Sequence, residues 1–565
     1  MIDDLWYKNS VIYCVSVGTY MDANGDGVGD FKGLLRRLDY LHGLGISTIW
    51  LMPFQPSPGK DDGYDISDYY GVDPRYGTLG DFVEFTHGCK QRGIRVIIDL
   101  VVNHTSNEHA WFKSARSKDS RYRDWYVWAE RRPANAGKGM VFPGVQKSTW
   151  THDKEAGAWY FHRFYDFQPD LNTSNPLVQA EILKIMGFWI QLGVSGFRMD
   201  AVPFVIATKG AKVNKPVEQY DMLRAFREFL QWREGDAIIL AEANVLPETD
   251  MDYFGRDGDR MHMMFNFQVN QHLFYALASA DARPLAKALA GTKPRPATAQ
   301  WGQFLRNHDE LDLGRLTRPQ REAVFAAFGP DQDMQLYDRG IRRRLAPMLG
   351  GDRRRLELAY SLMFTLPGTP VIRYGDELAM GDDLSLPERN CARTTMQWSS
   401  ERHGGFTTAD KPRLPVIDKG PYGYEHVNAA KQRRDPNSML NWTERIIRMR
   451  KEVPEVGWGD FTVIRTGDPA ILIIRYDWRD NSALFVHNLD EQPREISFAA
   501  GLPGDEGKLL VNLLSENHSH ADEGGRHTLV MEAYGYRWYR VGGLDYLLKR
   551  SDIDTRTGEK PAHPA

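Results

Sequence analysis

In "GVSGFRMDAVP" (Gly193–Pro203) the residues Val194, Gly196, Phe197 and Met199 make a short apolar strand, and Arg198 and Asp200 interrupt it at positions i and i+2. A period of two puts both on one face. A cation beside a carboxylate at the end of an apolar strand can be a buried ion pair that does nothing but pack. It can also be chemistry placed at a strand end. The surrounding sequence decides between the two.

Seven further runs have the same apolar character. They are "VIYCVSV" (Val11–Val17), "ISTIWLMP" (Ile46–Pro53), "IRVIIDLVVNH" (Ile94–His104), "AIILAEAN" (Ala237–Asn244), "RMHMMFNF" (Arg260–Phe267), "WGQFLRNHDE" (Trp301–Glu310) and "PVIRYGDE" (Pro370–Glu377). Most follow a segment of helical period, such as "PLVQAEILKIMGFWIQLG" before "VSGFRMD". Apolar strands without alternation belong to a parallel sheet covered on both faces. Eight such units predict a (β/α)8 TIM barrel, in the α/β class. A doubly wound open sheet also alternates strand and helix, but no Gly-rich nucleotide loop follows the first strand.

The barrel pattern is interrupted between the third and fourth strands. Residues 104–176 are rich in Trp, Tyr and charge and poor in helical period, which predicts a small inserted domain over the barrel mouth. Its aromatic runs, "WYVWAE" among them, suit either a sugar-stacking lid or the core of that domain. Barrel segments are expected over 1–103 and 177–461. From Thr462 the pattern changes to short strands and turns, which predicts a C-terminal antiparallel β domain over 462–548 and a disordered polar tail over 549–565.

A chain of 565 residues exceeds one ordinary core. Its net charge of -4 argues against nucleic acid as a partner, since phosphate binding needs clustered cations. Cys14, Cys89 and Cys391 are few, odd in number and scattered, which fits a reducing cytoplasm. No signal peptide is visible, and no apolar run approaches the roughly 18 residues of a membrane span. A cytoplasmic location and no membrane partner are expected.

In a (β/α)8 barrel the chemistry sits at the C-terminal ends of the strands. Here those ends carry Asn103 and His104, Arg198 and Asp200, Glu242, and His308 and Asp309. Three carboxylates without a Cys/His cage point to glycoside hydrolysis chemistry, with one carboxylate attacking the anomeric carbon and a second, kept protonated, serving the leaving oxygen. An adjacent cation favours a charged carboxylate, so Arg198 prepares Asp200 as a nucleophile.

"DLVVNH", "GFRMDAV", "LAEAN" and "FLRNHDE" resemble, in order, the four signature regions of the α-amylase superfamily, glycoside hydrolase family 13. "QPDLN" (Gln168–Asn172) resembles the further region of its α-glucosidase-type branch. The resemblance implies Asp200 as nucleophile, Glu242 as general acid/base and Asp309 as transition-state stabiliser. It implies His104, Arg198 and His308 as ligands of the reacting sugar, Tyr64 as its stacking tyrosine, Asp65 as the residue gripping its far hydroxyls, and Arg393 as the partner of that aspartate. "GFRMDAVP", "RNHDEL" and "STWTHDKEAGAWYFHRF" are most similar to the trehalose synthase branch. This implies a small α-glucoside substrate such as maltose, trehalose or sucrose, and interconversion of maltose and trehalose. "FVIATKGAKVNKPVEQYDML", after Pro203, departs from that branch, so an α-glucosidase that hydrolyses or transglucosylates maltose-type sugars stands as the alternative. The scaffold subunits of some amino-acid transporters share this barrel, but they carry an anchor and lack catalytic carboxylates. A homodimer is compatible with the sequence.

In "DANGDGVGD" the residues Asp22, Asn24, Asp26 and Asp30 alternate around Val28 and offer oxygen ligands suited to Ca2+. The twelfth position is Gly33, so the loop is not an EF-hand. Related barrels hold structural Ca2+ in this loop, which implies a stabilising ion outside catalysis.

Overall fold

The computed structural model describes residues 3–213, 215–501 and 507–542; the tail expected at 549–565 lies outside them. Its centre is a closed barrel of eight strands: Ile12–Val15 (β1), Thr48–Leu51 (β2), Arg95–Leu100 (β3), Gly196–Met199 (β4), Ile238–Ala241 (β5), Met263–Phe265 (β6), Gln300–Phe304 (β7) and Thr369–Arg373 (β8). All eight pairings are parallel and join consecutive strands, with β8 returning to β1. Every residue of β1, β2, β4 and β5 is buried, so both faces are covered and apolar/polar alternation is lost.

Closure between β4 and β5 depends on Gly196. Its φ is +149°, and a Cβ there would lie 2.4 Å from the Ile238 carbonyl oxygen. Only glycine fits at that approach.

The surrounding helices start where the sequence caps them. Helix Pro176–Gln191 has Pro176 in its first turn, and the Asn175 side chain accepts from the Leu177 amide. It buries Ile182, Ile185, Met186 and Trp189. Helix Leu79–Gln91 opens with a capping box between Thr78 and Asp81. Truncating one such core residue to Ala costs about 2–5 kcal/mol, so these faces fix the barrel's outer layer.

After β3 the chain builds a short helix, Ala110–Ala115, and a three-stranded antiparallel sheet from Trp128–Ala129, Ala158–Phe161 and Trp150–Asp153. Trp150 and Phe161 form a small core with Val127 and Ala136, and Trp125, Tyr126 and Tyr160 join the main core. Most aromatics of this segment are therefore packing residues. At the other end, Asp460–Ile464 (β9) pairs antiparallel with Ile471–Trp478 (β10), starting at Asp460 opposite Asp477 rather than at Thr462. Ile473, Leu484, Val486, Phe498 and Met531 form a separate core between the C-terminal sheets. No helix among the described residues is long and apolar enough to cross a membrane.

Candidate active site

Register alone brings the key groups together. Asp99 on β3 lies opposite Arg198 on β4, and Met199 lies opposite Ala241 on β5. Asp200 follows Met199 immediately, and Glu242 follows Ala241. Arg198 Nη1 donates to Asp99 Oδ1 and to Asp200 Oδ1, each at 2.6 Å, and Nη2 lies 3.0 Å from Glu242 Oε2. The guanidinium is 1% exposed and sits 5.2 Å from the Trp50 ring centre. One buried cation thus holds three carboxylates. Beyond Asp200 the chain turns through Ala201 in the left-handed region, φ 48°, and its amide donates to Glu242 Oε2 at 3.0 Å. A non-glycine residue there stores strain that positions the Glu242 carboxylate.

Burial sets the protonation of this group. It pushes Asp200 up to about 6, against the pull of Arg198. It pushes Glu242 up to about 7, with Arg198 opposing and Asp200 and Asp309 adding to the rise. Asp99 rises to about 6, again by burial against Arg198. Burial thus raises both carboxyls against the pull of Arg198, and Glu242 further than Asp200, the ordering that two-carboxylate chemistry needs. Arg198 does not lower Asp200 below its ordinary range, as the isolated pair suggests, because desolvation outweighs one shared cation.

Facing this cluster is Asp309. Its Oδ1 accepts from Arg389 Nη1 at 2.7 Å and Arg393 Nη2 at 3.1 Å, and Oδ2 lies 3.2 Å from His308 Nε2. Burial would raise this carboxyl, but the Arg389 and Arg393 guanidiniums beside it hold it well below the usual carboxylate range. Burial also keeps His308 neutral. Tyr64 stacks on His308, rings 5.3 Å apart and 8° from parallel, and their polar atoms meet at 2.8 Å. His104 Nε2 donates to the Tyr64 carbonyl at 2.9 Å.

The structure corrects one expected pair. Asp65 is fully buried, and its carboxylate accepts from Ser57 Oγ and from the Lys60 and Asp61 amides, which turns it away from the site. Arg393 lies instead 3.5 Å from Asp62. The acid that faces the site is Asp61, paired with Arg389 at 2.8 Å and with Gln168 Nε2 at 3.0 Å. The resemblance placed that role on the last aspartate of "DDGYD", whereas the fold turns the first one to the cavity.

These groups line a cavity of about 490 Å3, a size suited to a small ligand. Tyr64, His104, Asp200, Glu242, His308 and Asp309 all face it; Arg198 lies beneath the carboxylates, and Arg393 behind Asp309. The inserted segment supplies Phe142 and Phe164 as walls, with Phe204 and Phe267 from the barrel loops. Three contacts hold that segment down: Tyr165 donates to Glu388 at 2.7 Å, Arg339 donates to the Val141 carbonyl at 2.9 Å, and Arg389 sits 5.2 Å from the Phe142 ring.

A family model described as "Alpha amylase, catalytic domain" matches residues 13–324 and 340–459. The chain belongs to the alpha-amylase catalytic-domain family. A second model, "Sucrose hydrolase-like, C-terminal domain", matches residues 481–540. A trehalose synthase from Thermus thermophilus is 42% identical over 566 residues, covering 99% of this chain. This chain spans 58% of that protein's length. A trehalose synthase from Pimelobacter sp. (strain R48) is 38% identical over 96% of each chain. Among solved structures, trehalose-6-phosphate hydrolase from Bacillus licheniformis superposes with a TM-score of 0.76 at 26% identity, over 95% of this chain and all of that one.

Two regions of this alpha-amylase-family chain stand apart from the carboxylates. In the segment after Pro203, Lys209 is buried and its ammonium meets Asp170 at 2.9 Å, Asn103 Oδ1 at 2.7 Å and the Leu171 carbonyl at 3.0 Å. This lysine pins the base of the insert to the end of β3. In the loop expected to hold Ca2+, Asp22 accepts from the Asn24, Gly25 and Gly27 amides, Asp30 from the Ala23, Asn24 and Gly33 amides, and Asp26 from the Val28 amide. Asn24 bonds Asp26. The donors are all oxygen, the chemistry a hard cation takes, and both buried carboxylates face one turn. Among the described residues no group of three or more His, Cys, Asp or Glu side chains is placed to hold a metal, so the loop closes here on its own amides.

Proposed function

We propose that this chain is a retaining α-glucosyl enzyme that interconverts maltose and trehalose. The observation that carries the reading is the convergence of Asp200 and Glu242 on one buried arginine, with Asp309 facing them, in a cavity walled in part by the insert. The similarity to two trehalose synthases supports the substrate class.

In this reading Asp200 forms a bond to the anomeric carbon of the bound glucosyl unit as the glycosidic C–O bond breaks. Glu242 gives its proton to the departing O4 of the second glucose. The second glucose then turns so that its anomeric hydroxyl faces the covalent intermediate. Glu242 takes that hydroxyl's proton, the oxygen attacks, and the Asp200 ester bond breaks. Asp309 and neutral His308 stabilise the charge that develops between the two steps. Asp61, held by Arg389, lines the cavity and grips the outer hydroxyls of a terminal glucose in this reading. Phe142, Phe164 and their anchors exclude water while the freed sugar turns.

Product analysis on maltose tests this. Trehalose as the main product supports the reading. Glucose alone, or longer oligosaccharides, supports hydrolysis or transglucosylation instead, and no turnover supports a scaffold.

Two further readings belong with this one. Ca2+ held by Asp22, Asn24, Asp26, Asp30 and the Val28 carbonyl would stiffen the first loop. A cytoplasmic location suits three buried, unpaired cysteines.

A further inference from the structure

A second cavity, of about 1080 Å3, opens between helix Arg283–Ala290, the loop 292–297 and strand β9. It shares no residue with the active-site cavity. Six cations line it, Lys8, Arg283, Lys287, Lys293, Arg295 and Arg465, against two carboxylates, Asp460 and Asp468. Several of these already have partners. Arg283 pairs with Asp281, Lys293 donates to the Glu248 carbonyl, and Arg295 donates to the Ala299 and Gly457 carbonyls.

Lys8 does not. It is 4% exposed, it lines the cavity, and among the described residues it pairs with no carboxylate. Its contact is the Trp458 ring, 5.3 Å from the centre, and Trp458 in turn stacks on Trp478. Burial, with Arg295 adding repulsion, brings Lys8 down to about 7. A lysine that lines a cavity with a ring as its contact is free to take an anion there. Neither the active-site chemistry nor the packing of the barrel uses this lysine.

We infer that this cavity binds a small phosphate monoester, with the phosphate between Lys8 and Arg295 and the organic body against Trp458 and Phe461. Clustered Lys and Arg suit a phosphate through charge-assisted hydrogen bonds, and flat rings beside them suit a sugar or a base. With Asp281 counted as the partner of Arg283, the cations exceed the carboxylates by three, which draws a dianion in and repels cations.

Calorimetric titration of the full chain tests this with glucose 6-phosphate, AMP and inorganic phosphate, at constant ionic strength. The expected result is saturable binding of at least one ester, tighter than inorganic phosphate. Tighter glucose 6-phosphate marks a sugar site and tighter AMP a nucleotide site. Lys8→Met should weaken the ester by about tenfold or more, the loss of one charge-assisted hydrogen bond. Should Lys8→Met fail to fold, the exposed substitutions Arg465→Glu and Lys287→Glu test the same charge and should weaken binding while maltose turnover stays unchanged. No saturable binding, binding no tighter than inorganic phosphate, or ester binding unaffected by these substitutions would overturn the inference.

Discussion

Asp99 and Arg198 face each other across β3 and β4, with Asp99 Oδ1 2.6 Å from Arg198 Nη1. A second oxygen of Asp99 accepts from Trp50 Nε1 at 2.8 Å, so this carboxylate fixes the guanidinium that in turn orients Asp200 and Glu242. Asp99 is a positioning residue. Its negative charge also raises Asp200. Asp99→Asn should therefore lower kcat by about 10–100-fold, as loss of a supporting partner does. It should also move the acid limb of the pH profile to lower pH. A purely structural role would lower the amount of folded protein and leave that limb in place.

The pH dependence of kcat follows from the two raised carboxyls. Below about 6 Asp200 takes up a proton and stops attacking; above about 7 Glu242 loses the proton it must donate. The pair titrates jointly, so the profile should be a narrow bell centred between these values. Glu242→Gln should abolish the alkaline limb together with most of the rate on maltose. A plateau extending above pH 9 in the wild type would contradict the assignment.

The same shifts predict a stability effect. Folded Asp200 keeps its proton up to about 6, well above the ordinary value of an aspartate in an unfolded chain. The folded state binds more protons in that window, so stability falls as pH rises through it. Asp200→Asn removes this burden. At pH 8 the variant should melt at or above the wild-type temperature while kcat drops by about a thousandfold or more. A large fall in melting temperature would show that the carboxylate stabilises the fold.

Arg389 bridges Asp61 and Asp309 at 2.8 and 2.7 Å. Arg389→Ala leaves two partly buried carboxylates short of a partner and loosens the insert over the cavity. KM for maltose should rise by about tenfold or more, and the free-glucose share of products should grow as water enters. An unchanged product ratio would remove Arg389 from the closure of the site.

A chelator should lower the melting temperature through the loop Asp22–Asp30, with restoration by added Ca2+ and no change in the intrinsic rate constant of the folded enzyme. Identical melting curves with and without chelator would count against an ion there.

The barrel was readable because burial on both faces removes the alternation that would otherwise hide eight parallel strands, as in "AIILAEAN" and "TIWL". Asp200 and Glu242 stood out because each directly follows the last residue of such a strand, where side chains leave the wall and face the mouth, whereas Asp309 ends the apolar run but lies five residues beyond β7. Asp99 sits one step earlier, inside β3, and looks like a strand interruption until register sets it against Arg198. Asp61 and Arg389 come from irregular loops, where no period converts position into direction. Asp65 was assigned by resemblance, and its carboxylate is instead taken up by Ser57 and two amides of its own loop. The cavity at Lys8 joins segments that lie far apart along the chain, which only packing brings together.

The central claim is a covalent bond between Asp200 and a glucosyl unit. In Glu242→Gln, α-glucosyl fluoride needs no proton donor to release fluoride, while the second step lacks its base. Mass spectrometry of the quenched variant should find one added glucosyl group on the peptide carrying Asp200, and none when Asp200→Asn is added. An adduct on another residue, or no adduct although fluoride is released, would contradict the account.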